Sequence, residues 1–113
     1  MPIPMIEASL SEEVKALLFS AEDARRQANS YLVSCVSTGY RGINPELLPL
    51  TPPIWQLVIQ YKVPTLPPIR VGFIEVNAQT GEVIALAAHQ IETIRVRARE
   101  YLAANAPSAA IPH

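Results

Sequence analysis

The sequence predicts an α+β domain: an N-terminal helix packed on a three-stranded antiparallel meander, followed by a C-terminal helix, a cystatin-like shape. Three observations carry this. Seven of the eleven prolines fall between Pro45 and Pro68, and none lies in 5–44 or 69–106. Proline removes a backbone donor and fixes φ, so the two proline-free stretches should hold the long regular elements. The first stretch has helical apolar spacing, and 54–63 alternates with period two.

In the first stretch, Leu10, Val14, Leu17, Leu18, Ala21, Ala24, Ala28, Tyr31, Leu32 and Cys35 recur every three or four residues, which marks one buried helix face. Ser9 with Glu12 forms a capping box at the start, and Ser20 with Asp23 offers a second start signal. The prediction is helix over 10–37, in one piece or broken near Phe19–Ser20. Gly39 is the natural terminator. In "YRGINPELLPLTPP", Asn44 before Pro45 predicts a single helical turn inside an ordered connector.

In "IWQLVIQYKV", Trp55, Leu57, Ile59, Tyr61 and Val63 alternate with Gln56, Val58, Gln60 and Lys62, so one side is buried and the other wet. "PTLPP" leads into "IRVGFIEVNAQTGEVIAL", two strands around a tight turn. Asn77 bonds the backbone ahead of it and Gly81 supplies positive φ, which puts Val76 opposite Val83. Helix returns near His89, with Ile91, Ile94, Ala98, Tyr101 and Leu102 as its apolar stripe. The chain reads as one domain over 1–113, its core at about 10–104 and its ends loose at 1–8 and 105–113.

A chain of 113 residues buries roughly 65 % of its extended surface on folding, enough for a core without staples. The formal net charge of −1 draws it to neither nucleic acid nor anionic lipid. Charged residues are 17 % and apolar residues 50 %; against a norm of ~25 % charged, such a surface exposes apolar area suited to association. The single cysteine fits a reducing compartment. The opening "MPIPMIEASL" lacks the features of a signal peptide, and "VIALAA" is too short to cross a bilayer. The expected location is the cytoplasm.

The strand beginning "W-x-L-x-I", followed by "I-E-V-N-A-Q-T-G-E-V" at 74–83, resembles the PepSY-type small domains. Those place a helix before a tryptophan-bearing strand and then a hairpin with a "V-D-A-x-T-G-E-V" turn. The resemblance covers about residues 20–86. It departs at Asn77, where the family often has aspartate, and in the proline-rich connector and second helix. It implies a helix-on-sheet shape and a binding or inhibitory role, with no catalytic residues.

The residues themselves predict neither catalysis nor a cofactor. A metal site needs several convergent ligands, and the histidines are His89 and a terminal His113. Cys35 lies on the apolar stripe, where cysteine is a small buried hydrophobe. No P-loop, G-x-S-x-G or G-x-G-x-x-G is present. Arg95, Arg97 and Arg99 read as a solvated face paired with Glu92 and Glu100.

The sequence therefore predicts a non-enzymatic interaction module, a homodimer or one protein's partner, associating through a sheet edge or apolar helix surface. Trp55, Tyr61 and Phe73 are the candidate aromatic anchors. A second reading is a small-molecule pocket between the sheet and the first helix, drawing on Tyr61, Gln60 and Glu75. Glu75 shares a strand side with Val71 and Phe73. If that side is buried, it is a functional carboxylate; if the Ile74–Val76 side is buried, it is a surface charge. A third reading is an antitoxin-like or regulatory partner. Asn77 and Gly81 are structural turn residues.

Overall fold

The computed structural model describes residues 18–105. The elements run α1 (Ala21–Cys35), β1 (Tyr40–Leu48), β2 (Ile54–Tyr61), β3 (Ile69–Asn77), β4 (Val83–Ile84) and α2 (Ala88–Ala104). The fold is α+β, with an antiparallel sheet in the order β1-β2-β3-β4 between the two helices in sequence.

Helix α1 starts at the second of the two start signals. The Ser20 hydroxyl accepts from Asp23 N–H at 3.0 Å, and the Asp23 carboxylate accepts from Ser20 N–H at 3.5 Å. The expected helix over 10–17 and its Ser9–Glu12 box lie outside the described residues. Ala24, Ala28 and Leu32 are fully buried, and Val36 continues their four-residue stripe. Cys35, expected on that stripe, is exposed. A step of 100° per residue turns it off a face only one row wide. Gly39 has φ +94°; it does not end the helix, which stops at Cys35, but turns the chain into β1.

The main departure is β1 itself. The stretch expected as a connector with one helical turn at Asn44–Pro45 is a nine-residue strand, giving four strands instead of three. Its pairing with β2 shifts between Ile43 and Glu46, and Asn44 adopts φ +53°. Asparagine tolerates this left-handed conformation. Proline is acceptable beside it because a bulge on an edge strand loses no ladder bond.

The β3–β4 turn forms as expected. Asn77 Oδ1 accepts from the N–H groups of Gln79 at 2.8 Å and Thr80 at 3.1 Å, Gly81 has φ +78°, and Val76 pairs with Val83. Helix α2 follows, and the Gln90 side chain accepts from Ala87 N–H at 2.7 Å. Its arginines do not pair as predicted. Arg99 pairs with Glu92 at 3.2 Å, while Arg95 donates to Val36 O at 2.9 Å and Arg97 to Val71 O at 3.0 Å.

Both helices cover the same face of the sheet. Gly42, Ile59 and Gly72 sit opposite one another across β1, β2 and β3, and directly opposed residues share a face. A Cβ on Gly42 would meet Ala28 of α1 at 3.2 Å, and one on Gly72 would meet Ile94 of α2 at 3.2 Å. Two glycines thus let two helices approach one surface. The core between them holds Leu32, Leu57, Ile59, Val71, Ile74 and Val76, each at most 1 % exposed.

Trp55 fixes where α1 enters. Its Nε1–H donates to Phe19 O at 2.7 Å, and Phe19 N–H donates to Ala78 O at 2.8 Å. The residue before the helix cap is thereby tied to β2 and to the β3–β4 turn. Trp55→Phe keeps an aromatic ring but loses the donor. It should lower the unfolding free energy by about 1 kcal/mol, measured by urea denaturation with an unchanged m-value.

Candidate interaction surface

With the helices on one face, the other face of the sheet is built from the alternate residues. The register sorts these into rows. Arg41 opposes Gln60, and Gln60 opposes Arg70. The next row is Ile43, Val58 and Phe73. The third is Glu46, Gln56 and Glu75, extended by Ile84 on β4. Across three strands the order is basic, apolar, acidic.

Among the described residues no helix packs over this face, and only its far end, at Ile54, is buried. Phe73 is 59 % exposed and Ile84 43 %, high values for large apolar side chains. Ile43 and Val58 are half-buried beside them. Ion pairs among the described residues are confined to Glu22 and Asp23 with Arg25 and Arg26, and Glu92 with Arg99. Arg41, Arg70, Glu46 and Glu75 take part in none of these.

Phe73 is the only one of the three candidate anchors that faces outward. Trp55 is half-buried on the helix side, where it holds Phe19. Tyr61 packs against Tyr40 with ring centroids 4.8 Å apart. Burial, and then the neighbouring Tyr61, pushes the Tyr40 phenol above its ordinary pKa.

Glu75 lies on the outer face, opposite Gln56 and Ile84. The predicted grouping of Val71 with Phe73 and Glu75 fails because β3 bulges. Gln60 pairs with Arg70 and Ile59 with Gly72, so Val71 is the extra residue. The bulge carries Val71 inward while Phe73 and Glu75 stay outside. Ile74 and Val76 are the buried side, which makes Glu75 a surface carboxylate. Gln60 is outside too. Beneath α1 the buried side chains are apolar, while a cleft where α1 meets β1 and β2 is lined by Asn29, Val33, Tyr40, Arg41, Gln60 and Lys62. Of the three polar groups expected for a helix–sheet pocket, Tyr61 is on the helix side, Gln60 lines the cleft beside α1, and Glu75 lies away from both on the outer face.

The sheet edges are partly occupied. Asn29 Oδ1 accepts from Gly42 N–H on β1 at 2.8 Å, and the bulge at Asn44–Pro45 interrupts the same edge. On the other side, β4 covers Glu75 and Val76, and Arg97 donates to Val71 O. Blunted edges of this kind discourage strand addition.

Sequence reasoning missed Ile43, because it lay in a supposed connector, and passed over Val58. The available signal was Val58 itself, an apolar residue between Gln56 and Gln60 on the wet phase of its strand.

Among the described residues, no three His, Cys, Asp or Glu side chains cluster to hold a metal ion, and no helix is long and apolar enough to cross a membrane. Among the described residues the architecture is an antiparallel sheet with two helices on one face and none on the other. Compared with protein-family models, curated proteins and solved structures, the chain matches none.

Proposed function

We propose that this chain is a non-enzymatic protein-interaction module of the cytoplasm that docks through the outer face of its sheet. The observation that carries the reading is the apolar row Ile43–Val58–Phe73, set on a face that no described helix covers. An exposed apolar strip bordered by charges is the usual make-up of a contact surface. The sheet face replaces the edge as the preferred route, since side chains and bulges occupy the edges. The PepSY-like turn fits the same reading, as such domains serve in binding.

The test is a photo-crosslinking residue placed at Phe73, and separately at Val33, an exposed apolar position on α1, in the full chain inside expressing cells. A protein adduct from position 73 and none from position 33 is the expected result. Equal labelling from both positions, or none from 73, would contradict the proposal. The adduct mass identifies whether the partner is another copy or a different protein.

A further inference from the structure

Resting on the docking reading, we infer that the occupant of the outer face is a second copy of this chain, in one particular two-fold arrangement. The argument is the order of the three rows. Arg41 and Arg70 flank Gln60 in the first, Ile43, Val58 and Phe73 form the second, and Glu46 and Glu75 flank Gln56 in the third. On β2 these rows are evenly spaced at residues 60, 58 and 56.

Two sheets stacked face to face by a two-fold axis have two simple choices. If the axis runs along the strands, each row meets itself reversed, and Arg41 lies over Arg70 of the second copy. That stacks like charge on like charge at both ends. If the axis runs across the strands, along the apolar row, the ends exchange. Arg41 then lies over Glu46 of the second copy, Arg70 over Glu75, and Gln60 over Gln56. Each apolar residue meets its own counterpart, Phe73 on Phe73. The second arrangement gives four opposite-charge pairs and no like-charge pair from one set of side chains. Charge complementarity of this kind sets register and rejects the alternative orientation.

Arg70 and Glu75 belong to rows two steps apart on one strand, about 14 Å at ~6.8 Å per step. Pairing within one chain does not substitute for pairing across the axis. The three rows run across three strands, about 14 Å by 20 Å at ~4.8 Å and ~6.8 Å spacing, so each copy contributes about 300 Å². A total of roughly 600 Å² lies at the small end, where contacts are weak and transient. The dimer should therefore dissociate on dilution and weaken in high salt.

Light scattering on the full chain, from micromolar to millimolar concentration, measures it. Wild type should rise from one chain mass toward two. Arg70→Glu alone and Glu75→Arg alone each place like charges opposite each other twice across the axis, and each should weaken dimerisation about tenfold or more. The double exchange R70E/E75R should recover to within about threefold of wild type. Recovery also excludes misfolding as the cause of the single losses, since the double variant carries both changes. A wild-type chain that stays monomeric, single variants that dimerise normally, or a double variant that fails to recover would each overturn the self-pairing. A monomer that still forms an adduct with a different protein from position 73 leaves the docking reading standing; loss of both signals removes both.

Discussion

Leu57→Ala should lower the unfolding free energy by about 4 kcal/mol, in the upper part of the range for buried leucines. Leu57 is fully buried at the centre of β2. A Cβ on Gly42 would lie 3.0 Å from its Cδ2, so Leu57 fills the space that the glycine leaves beneath Ala28. Gly42 has no side chain to move into the void, and Ala28 is held on a helix whose stripe is already in contact. Incomplete relaxation is what makes such cavities costly. A domain of this size is stable by only 5–15 kcal/mol, so the melting temperature should fall by about 20 °C. A loss below about 1 kcal/mol would mean that α1 does not pack on this part of the sheet.

Gly81→Ala should be the most damaging change outside the core, at about 2–4 kcal/mol. Two effects combine. The residue has φ +78°, a conformation that costs an L-residue about 1–2 kcal/mol. An added Cβ would also run into the Phe19 ring, and forced overpacking costs about 1–3 kcal/mol. A double-mutant cycle separates the two. With Phe19→Ala in the background, the clash disappears and only the φ penalty remains, so the paired changes should be less than additive by about 1–3 kcal/mol. Strict additivity would show that the turn and the entry to α1 are not in contact.

The elements that were legible in the sequence are those whose cause is local. Ser20–Asp23 starts α1 and Asn77–Gly81 turns the hairpin because a few adjacent residues satisfy nearby backbone groups. The helix stripes were legible at Ala24, Ala28, Leu32, Ile94 and Ala98 because periodicity needs no partner, whereas Cys35 and Leu102, expected on them, are exposed. What escaped was set by pairing. Pro45 marks a connector when read alone, yet is harmless in a bulge at a sheet edge, and that position depends on β2. The inside and outside of β3 could not be read by alternation because the register skips Val71. The candidate surface escaped for the same reason. Its rows are assembled from residues as distant as Ile43 and Phe73, and only the register places them side by side. Phe73 alone was visible as a candidate anchor, without the neighbours that give it a role.

The proposed contact is made by the outer sheet face, and by neither the helices nor the strand edges. Methyl-resolved NMR of the full chain over a concentration series tests it most directly, because Ile, Val and Leu report from every surface. Concentration-dependent shifts are expected at Ile43, Val58 and Ile84, with Val33, Leu50 and Leu102 unmoved although all three are exposed. Shifts centred on Val33 or Leu102 would contradict it, and spectra unchanged up to millimolar concentration would contradict the self-pairing.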